Sequence, residues 1–241
     1  MAGHSKWANI KHRKERSDKK KGKIYSRAMK EIISAIRQAG PDLKTNHKLR
    51  IAVQKAKDVN VPNEVIDRNI KKANSSDQQD FVEMSYELYG YGGVGIIADV
   101  MTDNKNRIAS DMRIATNKCG GTVATPGAVS YNFDRKGHIR VAKTNTIVED
   151  DLFLLVSEHG ADDFSQEEDF YIICTPISAF YEVKDCIEKS GISCEEAQLA
   201  MIPKVWVDVT DEDADKNIAL IEWLENLDDV DAIYHNMRIN A

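Results

Sequence analysis

Apolar residues in the first third of the chain recur at helical spacing. Tyr25, Ala28, Met29, Ile32, Ile33 and Ile36 form an i, i+3, i+4, i+7 series that Gly40-Pro41 ends, which predicts an amphipathic helix starting at Ile24. Leu49, Ala52, Val53 and Ala56 mark a second helix stopping near Asn60. Pro62 opens a third, at a position where its missing N–H leaves no bond unmade, with Val65, Ile66, Ile70 and Ala73 turned inward. Short links between these runs predict a three-helix head over 24–76. Residues 1–23 carry high charge without a helical period and are expected to be a flexible basic arm.

After the polar string Asn74-Ser75-Ser76-Asp77-Gln78-Gln79 the period changes to alternation. Residues 81–89 and 94–102 read as strands joined by a glycine hairpin, and 104–119 as a helix closed by Gly120-Gly121. A second hairpin is expected over 128–142, turning at Asp134-Arg135-Lys136-Gly137. Beyond it the pattern gives a helix at 148–159, a strand at 170–175, a helix at 179–190 and a strand at 194–201. The chain then reads as strand 205–209, helix 211–226 and strand 231–239. A strand, helix and strand make no stable sheet alone, and their natural partner is the hairpin and helix at 81–121. The expected fold is therefore α+β: an N-terminal three-helix head followed by two α/β sandwich domains, the last inserted into the middle one. Residues 80–126 plus 204–241 would form the discontinuous domain and 127–203 the inserted one.

Charge divides along the same boundary. Residues 1–72 hold 20 Lys and Arg against 7 Asp and Glu, a net +13, whereas the rest holds 13 against 32, a net −19. The overall −6 and pI of 5.6 describe neither part, and such asymmetry marks a polyanion-facing end. No apolar run resembling a secretory signal follows the basic start, and no stretch approaches the roughly 18 apolar residues of a membrane span. A cytoplasmic protein with no membrane partner is expected. Cys119, Cys174, Cys186 and Cys194 are too far apart for C-x-x-C chemistry and read as reduced packing thiols. Nothing in the sequence sets the oligomeric state.

Several strings mimic catalytic or ligand motifs. Gly90, Gly92 and Gly95 spell G-x-G-x-x-G, but a dinucleotide turn needs a helix after it, and here a strand follows. Asp211, Asp213, Asp215 and Glu222 imitate a calcium loop, yet Lys216 stands where that loop requires glycine; Thr210 ahead of Asp213 reads instead as a helix N-cap. The six histidines are scattered without ligand spacing, and no P-loop or Gly-x-Ser-x-Gly string occurs. No catalytic residue, metal ligand or cofactor is assigned. An enzyme would have to use an inter-domain cleft lined by acids such as Asp99, Asp103, Asp111 or Asp208.

The basic start is harder to dismiss as a solvated face, because eleven cations against two acids in the first 30 residues exceed what i, i+4 pairing can absorb. Lys6, Lys11, Arg13, Lys14, Lys19, Lys20, Lys21, Lys23, Arg27 and Lys30 are the candidate phosphate contacts. Trp7 and Tyr25 supply faces for stacking, worth on the order of 1–3 kcal/mol per base. The partner implied is nucleic acid.

The opening MAGHSKWANIKHRK closely resembles the N-terminal signature of the YebC family, and the resemblance continues through KIYSRAMKEI, NHKLRIAVQKAKDVNVPNEVIDRNIKKA, VMTDNKNRIASDMR and the stretch GGTVATPGAV from Gly120 to Val129. Two positions depart from it: Tyr91 replaces a usual proline in the glycine loop, and Ala128 a usual serine. The resemblance implies three domains, and either DNA-binding transcriptional control or action on the ribosome as a translational activator, for example through proline-rich stretches. The polyanion would be promoter DNA in the first case and ribosomal RNA in the second.

Overall fold

The computed structural model describes residues 17–73 and 80–238, with side chains from Gly22 onward. The head consists of α1 (Ser17–Ala39), α2 (His47–Asp58) and α3 (Asn63–Ala73). Ile32, Ile36, Leu49, Ala56 and Ile66 are its buried centre. Asn46 closes the α1–α2 turn: its Oδ1 accepts from Leu49 N at 3.0 Å, capping α2, while its Nδ2 donates to Ala35 O and Gly40 O. Helix α1 starts at Ser17, seven residues before the expected Ile24. The segment SDKKKGK contains no proline to break a helix. The expected arm is thus shortened by one helical stretch, and residues 1–16 lie outside the described residues.

The remaining elements are β1 (Val82–Tyr89), β2 (Gly95–Thr102), α4 (Lys105–Cys119), β3 (Thr122–Val123), β4 (Phe133–Ala142), α5 (Glu149–Glu158), β5 (Asp163–Gln166), β6 (Phe170–Thr175), α6 (Phe180–Lys189), β7 (Cys194–Pro203), β8 (Val207–Asp208), α7 (Asp211–Glu225), β9 (Val230–His235) and β10 (Met237–Arg238). Two four-stranded antiparallel sheets result, ordered β3-β1-β2-β9 and β5-β6-β4-β7, with β8 and β10 forming a separate parallel pair. The second sheet lies in sequence between strands of the first. This is the α+β arrangement of helices followed by sheet domains.

Strand β2 is central and covered on both faces. Ile96, Ala98 and Val100 pack against Ile108, Met112 and Ala115 of α4 and Leu220, Ile221 and Leu224 of α7. On the opposite face Ile97 and Tyr234 meet Val129, Phe133 and Ala200, an apolar cluster that joins the two sheets.

Two expectations are corrected. The hairpin over 128–142 is instead a short 3₁₀ turn at Ser130–Asn132 leading into the unbroken strand β4. Pairing overrides the local turn signal, because β4 bonds β7 along one edge and, from Gly137 onward, β6 along the other. Gly137 serves close packing there: a Cβ would collide with Thr175 Oγ1 and the Phe180 ring. The final strand is also interrupted, at Asn236, whose Oδ1 accepts from Gly95 N at 2.7 Å.

Candidate nucleic-acid interface

The cations proposed for phosphate contact fall into three groups. Lys6, Trp7, Lys11, Arg13 and Lys14 lie outside the described residues, and Lys19, Lys20 and Lys21 lie on the first turns of α1 with side chains outside the description. Lys23, Arg27 and Lys30 share one face of α1, as spacings of four and three require, and that face meets the turn between α7 and β9. Lys23 Nζ donates to the carbonyls of Glu225 and Leu227 at the C-terminus of α7, where the helix dipole favours a cation. Arg27 reaches Asp231 O at 3.3 Å, the Asp231 carboxylate at 3.9 Å and Glu31 at 3.3 Å. Lys30 donates to Met101 O, Asp228 O and the Asp229 carboxylate at 3.1, 3.0 and 3.3 Å. Tyr25 is turned into the head, its hydroxyl donating to Asn60 O at 2.7 Å.

Asp229 is the buried centre of this junction. Its carboxylate accepts from Thr102 Oγ1 at 2.9 Å and from Arg107 at 2.6 and 3.1 Å, besides Lys30. Burial alone would raise its pKa, but the hydrogen bonds from Arg107 and Thr102 and the charge of Lys30 outweigh burial and hold it below the usual value. Asp231 has the opposite balance, since burial raises its pKa by more than Arg27 and Lys30 recover. Burial likewise lowers the Lys23 pKa, against the attraction of Asp231, Glu225 and Asp228. Burial opposes the Arg27 charge, which Asp231 and Glu31 more than restore.

Elsewhere on the head, Lys55 pairs with Glu31 at 3.1 Å and Lys48 donates to Gln38. Arg50 caps the carbonyls of Leu43 and Lys44. Lys44, Lys57, Arg68 and Lys71 are exposed and make no ion pair among the described residues. A cleft of about 500 Å³ separates the head from both sheets, with Arg27, Glu31 and Lys55 on the head side, Asp99 and Asp231 from the first sheet and Arg135 from the second. Three of its acids are engaged within the protein: Asp99 accepts from Ser85 at 2.6 Å, Asp231 faces Arg27, and Glu31 pairs with Arg27 and Lys55. Of the other acids considered for catalysis, Asp103 pairs with Arg107 and Asp208 with Arg238.

The glycine hairpin is a structural turn. Asn217, fully buried on α7, accepts from Tyr91 N at 2.8 Å and donates to Tyr91 O at 3.1 Å. A Cβ on Gly90 would strike its Oδ1, and Gly92 adopts φ +65°. Thr210 caps α7 by accepting from Asp213 N, so the acidic run there opens a helix. Among the described residues no group of three or more His, Cys, Asp or Glu is placed to hold a metal ion, and no helix is long and apolar enough to cross a membrane.

Sequence reasoning missed Glu87. Its carboxylate accepts from the backbone N–H groups of Gly127, Val129 and Ser130 at 2.7, 2.6 and 2.8 Å. Burial would raise its pKa, but these three bonds hold it below the usual value. With Tyr89, whose hydroxyl donates to Ala128 O, it fastens the 127–130 segment where the chain passes from one sheet to the other. The available signal was a glutamate on the polar face of β1, and nothing local showed that a loop covers that face.

A helical head thus meets two antiparallel sheets through charged contacts. The comparisons place the chain in a family. Residues 5–76 match the model of the TACO1/YebC protein N-terminal domain and residues 81–237 that of the TACO1/YebC second and third domain, so the chain belongs to the TACO1/YebC family. A probable transcriptional regulatory protein of Protochlamydia amoebophila is 64% identical over 99% of this chain and 97% of its own. One from Chlamydia felis is 56% identical over 98% of this chain and 100% of its own. The crystal structure of a conserved hypothetical protein from Aquifex aeolicus has the same fold, with a TM-score of 0.84 and 40% identity over 98% of both chains.

Proposed function

We propose that the protein is a non-enzymatic, cytoplasmic DNA-binding regulator of transcription, built as a head (24–76), a discontinuous α/β domain (80–126 plus 204–241) and an inserted one (127–203). The observation that carries this reading is the charge split, +13 up to residue 72 and −19 after it. The names of the relatives, probable transcriptional regulatory proteins, point the same way. Lys6, Lys11, Arg13, Lys14, Lys19, Lys20 and Lys21 contact phosphates and Trp7 stacks, assisted by the exposed Lys44, Lys57, Arg68 and Lys71. Glu31, Asp99 and Asp231 in the cleft engage neighbouring side chains, which favours binding over catalysis. Duplex affinity should fall with salt at a log–log slope of about −0.9 per phosphate neutralised. A flat response between low and physiological salt would refute the reading.

A second reading, a ribosome-associated translation factor, draws on the exposed face of α3, where Glu64 and Asp67 interleave with Arg68 and Lys71. Acids on that face disfavour entry into a DNA groove and suit contact with RNA by shape and single strands. Co-sedimentation with ribosomes that is lost on deleting residues 2–23, without promoter-specific binding, would select it.

A further inference from the structure

We propose that Lys23, Arg27 and Lys30 are a latch that holds the head closed on the body, and that a nucleic-acid backbone competes with the body for these cations, swinging the head away and opening the cleft. The proposal rests on the nucleic-acid reading above. All three cations meet one segment, the end of α7 and the turn into β9. That segment gathers outward-facing carbonyls, the negative end of a helix dipole and the carboxylates of Asp228, Asp229 and Asp231. It offers an α1 cation what a run of phosphates would offer.

Three features allow the latch to open. Among the described residues, the head has its own apolar core, which takes only Phe81 from beyond the linker, and the apolar core of the first sheet includes no head residue. Separation therefore exposes little apolar surface. Opening also leaves the buried Asp229 carboxylate paired, because it keeps Arg107 and Thr102 when Lys30 leaves. The Arg27 side chain is 43% exposed while latched, so a phosphate can engage it before the other two contacts break.

The test uses the full chain and two labelled probes of equal length, a duplex DNA and a single-stranded RNA. Small-angle scattering of the wild type without nucleic acid should show a larger radius of gyration in about 0.5 M than in about 0.05 M salt, as screening weakens the latch. An unchanged radius would overturn the latch. Asp228→Asn with Asp231→Asn weakens the body side and leaves every candidate phosphate contact in place. It should expand the protein at low salt and tighten probe binding about fivefold, the gain expected when an open fraction rises from about a tenth to about a half. A charge-matched control, Glu195→Gln with Asp163→Asn on the second sheet, should change affinity by less than about twofold. Equal affinities of the latch variant and the control would overturn the competition while leaving nucleic-acid binding intact. If the wild type bound neither probe, the nucleic-acid reading would fall and the competition with it, whereas the salt-dependent radius would still decide the latch.

Discussion

The two junctions of this molecule are built from opposite materials. The sheets meet through Ile97, Val129, Phe133, Ala200 and Tyr234, all buried, and burial there is deep enough to push the Tyr234 hydroxyl pKa up to about 12. The head meets the body through Lys23, Arg27 and Lys30 on carbonyls and carboxylates, and the apolar clusters of the two sides remain separate. An apolar junction is not weakened by ionic screening and fails with the fold. An ionic one weakens with ionic strength and can open while both partners stay folded. The difference sets a junction that joins the two sheets through apolar burial against one whose contacts a competing polyanion could replace, as the latch proposal requires.

The largest expected effect lies at the apolar junction. Phe133→Ala removes a ring that is 4% exposed and should destabilise the body by about 3–5 kcal/mol, read as a lower midpoint in chemical denaturation. A loss under about 1 kcal/mol would mean the sheets do not depend on this cluster.

Glu87→Gln comes next, because a neutral amide replaces a carboxylate that accepts three backbone N–H bonds. Removing acceptor capacity at a buried site costs on the order of 1–3 kcal/mol. The variant should also flatten the acid limb of the stability curve. The Glu87 pKa is lower in the folded state than in the unfolded chain, so its contribution is complete above the unfolded value of about 4.3 and is lost as pH falls through the folded value. Asp229 has the same sign, so some acid sensitivity should survive in the variant. Denaturation midpoints measured from pH 7 down to pH 3 check both statements, and an acid limb unchanged in Glu87→Gln would contradict the assignment.

Asn46→Ala tests the independence of the head. Loss of this cap should cost up to about 2 kcal/mol and lower the hydrogen-exchange protection of α1, α2 and α3. The strands β1, β2 and β9 should be little affected, since among the described residues the head's apolar cluster reaches them only through Phe81, just ahead of β1. Equal loss of protection in head and sheet would show the two to be a single cooperative unit.

What the sequence revealed follows the same division. The helices of the head and the central elements of both sheets were legible because their apolar periods span whole elements. The course of β4 was not, since Asp134-Arg135-Lys136-Gly137 carries a local turn signal that pairing on both edges overrules. Glu87 alternates onto a polar face, and the loop that covers it arrives about forty residues later. Lys23, Arg27 and Lys30 were visible as cations on one helical face. Their partners lie near the other end of the chain, and charge counting alone could not distinguish a cation facing solvent from one holding Asp229 or Asp231.

The smallest expected change in stability is also the most direct probe of the ionic junction. Lys23→Met keeps much of the apolar stem and deletes the charge that meets Glu225 O and Leu227 O. Polar contacts of this partly exposed kind contribute about 0–1 kcal/mol, so the unfolding midpoint should move little at any ionic strength. The contact between head and body should nevertheless loosen, and the scattering radius of the variant in about 0.05 M salt should approach that of the wild type in about 0.5 M, where the screening length has shrunk to a few ångströms. A variant that melts early but keeps its radius would place Lys23 in the stability of the fold. One that melts normally but expands would show that this cation maintains an arrangement of folded parts, a role that Phe133 at the other junction cannot have.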